Sequence, residues 1–287
     1  MTVLIHRVVA DYAIAFIDPF RVDDVPMALL PEPLVPSGFE AEAHLMPQFV
    51  HLRRFDSVQR DALLDWLEGP SAGDGAPPVL AFVSSDADDA RVLNHLRRQL
   101  IIGLSGDRKC LLRYYDPKVF WHLHWILDET QRASLFGPLR QWVYWHDGLW
   151  RLSEKPLAGS RRPVPLSQRQ SAQLGRVATI NQVMASIELP VGATARLALA
   201  QRVDADIERA QRKGLGDEMD WIHFARLCHT CHPRFDEHPR VVDLLACLAQ
   251  DECTFSDVAA AMDDMFWQGV ATELAEAEKP NTRDLIR

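Results

Sequence analysis

The hydrophobic pattern of this chain changes period once, near Leu166, and that change constrains the fold more than any single motif. Before it, short apolar runs of strand length alternate with amphipathic helical segments; after it, apolar positions keep a helical period and strand-like runs are absent. At 287 residues the chain can bury one large core or two ordinary ones. The pattern predicts an α/β (α+β) N-terminal lobe, residues 1–155, with a small mixed sheet and flanking helices. A basic linker at 156–165 and an all-helical C-terminal lobe at 166–287 follow.

In the first lobe, Tyr12–Ile17, Gln48–Arg53, Val79–Val83 and Lys109–Tyr115 read as strands. Gln141–Trp145 and Leu149–Leu152 read as a hairpin about Asp147-Gly148. Asp56 caps a helix running through Leu67, and Val92, Leu93, Leu96 and Leu100 keep helical spacing on the next. Asp128 and Gln131 form a capping-box pattern opening a short helix that Gly137-Pro138 breaks. Gly69–Pro78 and Gly103–Gly106 read as a loop and a turn. In the second lobe, helices are expected near 167–187, 193–213, 217–230, 239–250 and 256–277, with Ser167 and Gln170 as a capping box and Gly214-Leu-Gly216 as a stop signal.

One corner ties the first lobe together. Asp116 is an N-cap and Pro117 a first helical residue, and Arg113 is close enough to reach Asp116. On a strand ending here, Tyr114 and Tyr115 would point to opposite faces. On the helix that follows, Val119, Phe120, Leu123, Ile126 and Leu127 make the core stripe. Trp121 and Trp125 project from nearly the opposite side, so either a second layer covers them or they belong to a partner-binding surface. Ten of the 24 aromatic residues lie between Tyr114 and Trp150, a concentration that suits an apolar wall better than a hydrolytic pocket.

Composition excludes some classes. Hydrophobic content of 47%, charged content of 25% and a formal charge of −9 are those of a soluble globular protein, and they argue against a nucleic-acid partner. The first residues lack the continuous apolar core of a signal peptide, and no uninterrupted apolar run reaches membrane-spanning length. Five unevenly spaced cysteines suit a reduced, cytoplasmic protein.

Tests for chemistry mostly fail: phosphate-loop, dinucleotide, nucleophile-elbow and H-E-x-x-H patterns are absent. Cys228-His-Thr-Cys-His232 matches the haem c attachment pattern. A thiol redox motif, or a zinc site of Cys228, Cys231 and His232 with His238 or Cys247, are its other functional readings. The simpler one is a helix end with two small apolar residues at i and i+3. His122, His124 and His146 lie near Asp116, Asp128 and Asp147, but His122 and His124 at i and i+2 point in different directions.

Four segments then acquire a joint meaning. Asn94–Leu100, Leu112–Val119, Leu135–Pro138 and Asp147–Trp150, in this order and spacing, resemble the domain of type VI secretion effector adaptors, the Tap or TEC proteins. Tyr12–Asp18 resembles that family's opening strand, Leu166–Gln170 the start of its helical extension, and Phe235–Pro239 a late aromatic-to-proline signature. The resemblance is clear over about residues 10–152 and loose beyond; the cysteine motif and the Trp121/Trp125 pair lie outside the family pattern.

The resemblance implies a non-enzymatic cytoplasmic adaptor without cofactor. It would bind a type VI effector, through that effector's N-terminal region, and help load it onto the VgrG spike protein. Trp121, Trp125, Trp142, Tyr144 and Trp145 are then the candidate effector-binding residues, on an aromatic surface or beside the cleft between lobes. Arg113, Tyr114, Tyr115, Asp116 and Pro117 form a structural corner. Neither nucleic acid nor membrane insertion is expected. The competing expectation is a zinc or thiol protein built on Cys228, Cys231, His232 and His238, and a scaffold without cargo is a third.

Overall fold

The computed structural model describes residues 4–17, 25–69, 75–103, 109–157, 165–248 and 253–278. The chain divides into two compact units, Met1–Leu174 and Gly175–Arg287. The expected linker lies largely outside the described residues, as does most of the predicted turn at 103–106 and part of the loop at 69–78.

The first unit opens with a short helix α1 (Ile5–Asp11), then β1 (Ile14–Ile17), β2 (Glu32–Pro33), β3 (Gln48–His51), α2 (Ser57–Glu68), β4 (Val79–Ser85) and α3 (Asp89–Gln99). There follow β5 (Ile101–Gly103), β6 (Lys109–Leu111), α4 (Pro117–Ile126), α5 (Glu129–Phe136), β7 (Leu139–His146) and β8 (Leu149–Glu154). Six strands form one sheet in the order β2-β3-β1-β4-β7-β8. Every pairing in it is antiparallel, where a mixed sheet was expected. Direction is invisible in apolar runs like those of β1 and β4, which are buried along most or all of their length.

Alternation along β1 and β7 sorts side chains into two cores. Ala15, Ile17, Phe82 and Val143 face one way, against Val8 and Val9 of α1 and Leu63 of α2. Phe16 and Trp142 face the other way and stack at 5.6 Å, with Tyr114, Phe120 and Phe136 around them. The sheet is thus covered on both faces, which is why its middle strands read as unbroken apolar runs.

Two predictions about the corner need correcting. The strand expected over Lys109–Tyr115 ends at Leu111 and pairs only with β5, in a separate two-stranded ribbon. The backbone then turns: Tyr114 N–H donates to the Leu112 carbonyl and Asp116 N–H to that of Arg113. Tyr114 and Tyr115 therefore do not straddle a strand. Both are buried beside Phe16, Tyr114 edge-on and Tyr115 stacked. The Tyr114 hydroxyl donates to the Leu96 carbonyl at 2.8 Å, which ties the corner to α3. The polar part of the corner is as expected: Asp116 accepts from Lys118 N–H at 2.9 Å, Pro117 opens α4, and Arg113 lies 3.5 Å from Asp116.

The helix α6 (Gln168–Ala185) begins at the expected Ser167/Gln170 box and runs across the boundary between the units. Its first turn belongs with the first unit because Gln170 donates to the Ile126 carbonyl at 2.8 Å and pairs with Gln131. The second unit continues with α7 (Ala193–Arg212), α8 (Glu218–Thr230), α9 (Pro239–Leu248), α10 (Phe255–Ala261) and α11 (Asp264–Ala277). Phe224, Phe235, Phe255, Val241 and Val270 form its core. Gly214, with φ of +89°, stops α7 as the sequence suggests. The single helix expected over 256–277 is instead two. Met262 is extended and Asp263 accepts from Phe266 N–H at 2.8 Å, so a fresh N-cap restarts the helix. Among the described residues no helix is long and apolar enough to cross a membrane.

Candidate functional site

The five aromatics proposed as a partner surface do not form one. Trp142 is 1% exposed and lies parallel to Phe120 at 4.8 Å, so it is a core residue. Tyr144, 7% exposed, packs edge-on against Phe120, and burial pushes its hydroxyl pKa up to about 12. Trp121 is also 7% exposed, its ring 4.8 Å from that of His146. The second layer allowed for in the sequence is therefore present over Trp121, and the C-terminal end of β7 supplies part of it. Trp125 is half-buried and donates its indole N–H to His122 Nδ1 at 3.1 Å. Trp145 is half-buried too, but by strand alternation it sits on the opposite face of β7 from Trp142 and Tyr144, against Trp150.

The three histidines of that region sit around shared aromatic rings, His122 and His146 beside Trp121, and His124 and His146 beside Tyr144. His122 is fully buried and accepts the Trp125 hydrogen bond. His124 packs against Phe120 and Tyr144, and burial, with Arg132 nearby, lowers its pKa to about 4. His146 lies 3.4 Å from Asp147 at the hairpin turn.

The candidate metal ligands do not converge. Cys228 is buried, accepts from Arg209 Nη2 at 3.0 Å, and has its thiol pKa raised by burial. Cys231 donates to the Trp267 carbonyl at 3.3 Å. His232 lies 3.6 Å from Glu278, and His238 lies 3.0 Å from Glu273. Each of the four faces a different neighbour, and among the described residues no three His, Cys, Asp or Glu side chains are grouped to hold a metal.

A feature that the sequence reading missed is a groove on α3. Arg91, Arg97 and Arg98 from that helix and Lys109 from β6 line an open depression of about 760 Å³ beside Phe39 and Ile101. A second depression of about 420 Å³ shares Arg98 and Ile101 and continues over Ile102, Leu112 and Leu127. The sequence signal was available: Arg91 and Arg98 are seven apart and so share one face of a helix.

Residues 34–134 match a family described as "Domain of unknown function (DUF4123)". This is the domain of the Tap/TEC effector adaptors that the ordered motifs resemble, and the chain carries it from just after β2 to near the end of α5. The structural corner, Trp121, Trp125 and the α3 groove all lie within the matched residues; the β7–β8 hairpin and the second unit lie outside them. No curated protein and no solved structure matches the chain.

Proposed function

We propose that this protein is a cytoplasmic adaptor that binds a type VI secretion effector and helps load it onto the VgrG spike. The observation that carries the reading is the DUF4123 match over residues 34–134, which contains the Asn94–Leu100 and Leu112–Val119 motifs of the resemblance. An adaptor acts through surfaces and needs no catalytic group. Binding the effector's folded form would also raise that form's apparent stability by mass action.

Co-expression with the neighbouring gene products, followed by affinity capture and size-exclusion chromatography, tests the proposal. Co-elution of an effector, and of VgrG in its presence, is the expected result. Failure of tagged protein to retain any co-expressed effector or spike protein would overturn it.

A further inference from the structure

We propose that the cationic face of α3 and the adjoining edge of β5 form a docking groove for an extended, acidic segment of a partner protein, in which carboxylates alternate with apolar side chains. The charge pattern comes first. Among the described residues Arg91, Arg97, Arg98 and Lys109 line the groove, no carboxylate lines it, and none of the four cations makes an ion pair. Among the described residues, the one hydrogen bond from these side chains runs from Arg98 Nε to the Asn94 carbonyl at 3.2 Å, within α3 itself. In a chain of net charge −9, four cations with no carboxylate among the described lining residues favour negative charge locally.

The helix dipole accounts for only part of this arrangement. Arg97 and Arg98 sit in the last turn of α3, where cations are favoured by the carbonyl end. Arg91 lies near the opposite end of that helix, where the dipole disfavours a cation, and Lys109 is on a different element.

The strand edge indicates an extended occupant. Leu112 N–H donates to the Leu100 carbonyl at 2.7 Å. With the register Ile101 to Leu111 and Ile102 to Cys110, antiparallel alternation makes Leu100 and Ile102 the hydrogen-bonded positions. The peptide groups of Ile101 and Gly103 therefore point away from β6, and among the described residues β5 has no second neighbouring strand. A chain laid along that edge would gain backbone hydrogen bonds and send alternate side chains to opposite sides. One set would meet Arg91 and Lys109, with Arg98 at the junction; the other would enter the second depression, where Ile102, Leu112 and Leu127 give apolar contacts beside Arg98 and Gln131. A nucleic acid could use the cations but would gain little from the apolar side chains of Ile102, Leu112 and Leu127.

As the cargo surface of an adaptor, the groove rests on the function proposed above; as a peptide site it can be tested alone. The probe is a short fluorescein-labelled peptide alternating Glu and Leu, followed by fluorescence anisotropy at low and high salt on the full chain. We expect saturable binding that weakens with salt and weakens at least about tenfold in Arg91→Glu/Arg98→Glu/Lys109→Glu. All three positions are exposed, so the fold should survive, with circular dichroism as the check. Arg7→Glu, on the exposed side of α1, should bind as the parent does, and a peptide with Gln in place of Glu should bind weakly. No binding, undiminished binding by the folded triple variant, or preference for an oligothymidylate of equal charge would each overturn the proposal. Those outcomes leave effector capture untouched, whereas peptide binding without effector capture would retain the groove and refute the adaptor.

Discussion

Phe120 and Trp142 lie almost parallel, 4.8 Å between ring centroids, and this contact joins α4 to the middle of β7. Trp142 also stacks on Phe16 of β1, so one ring links the central strand, the hairpin and the helix after the corner. Trp142→Ala should destabilise the protein by about 3–5 kcal/mol, the usual cost of emptying a large aromatic site. The indole N–H is buried without a partner, so Trp142→Phe forfeits no hydrogen bond and should cost distinctly less. Urea unfolding of both variants checks the order; equal losses would refute it.

Gly137 ends α5 with φ of +53°, and a Cβ there would collide with the imidazole of His95. That ring is held by a 2.7 Å contact from Nε2 to the Leu135 carbonyl, so it is not free to retreat. Gly137→Ala should cost on the order of 1–3 kcal/mol. Gly175, inside α6, would meet nothing within 4 Å, and Gly175→Ala should instead stabilise by about 0.5–1 kcal/mol. Opposite shifts in thermal midpoint are the expected readout.

In the second unit Arg176 donates through both Nε and Nη2 to Asp204 at 2.7 Å, with side chains 9% and 7% exposed. Arg176→Met would take the cation away from the buried Asp204 carboxylate and should cost about 3–5 kcal/mol. Pairing it with Asp204→Leu should recover part of the loss, because two apolar side chains need no solvation. A double variant no more stable than the single one, by denaturant titration, would show that the charge pair is not what holds α6 to α7.

Much of this arrangement was legible because local rules and tertiary packing agree. Asp56, Asp116, Asp128 and Ser167 all cap the helices their neighbours predicted, and Asp147-Gly148 turns the hairpin. The misses occur where a residue's fate depends on distant partners. Nothing local reveals that Lys109–Leu111 pairs with Ile101–Gly103 and stays out of the main sheet. Helical periodicity leaves open whether a second layer covers Trp121, and only a fold that brings β7 beside α4 covers it with His146. The arginines of α3 gain a joint meaning only beside Lys109, which the β5–β6 pairing brings from a separate element.

The cysteines offer a direct chemical comparison. Cys247 and Cys253 are exposed, while Cys228 is buried with its thiol pKa raised by burial. The native protein should therefore show fast modification of two thiols by a disulfide reagent such as DTNB, abolished by Cys247→Ser/Cys253→Ser. Cys228 should react only on unfolding. Rapid labelling of Cys228 in the folded protein would mean that the C-x-x-C-H segment is open to solvent and chemistry.

Acid sensitivity should trace in part to His124. Burial, helped by Arg132, lowers its pKa to about 4, and its Nε2 is buried without a hydrogen-bond partner. Between pH 6.5 and 4 the unfolded chain takes up a proton here that the folded chain refuses. Stability is therefore undiminished by this group above pH 6.5 and falls on acidification, by about 3 kcal/mol in all by pH 4. His51, His95 and His223 are also shifted down, each chiefly by burial, so the parent's slope is a composite. His124→Leu removes one titrating group and no hydrogen bond of its own Nε2. The difference in unfolding free energy between parent and variant should be constant above pH 6.5 and move steadily in the variant's favour towards pH 4. A pH-independent difference would mean that the imidazole is protonated within its Phe120 and Tyr144 surroundings, and that burial does not set its charge.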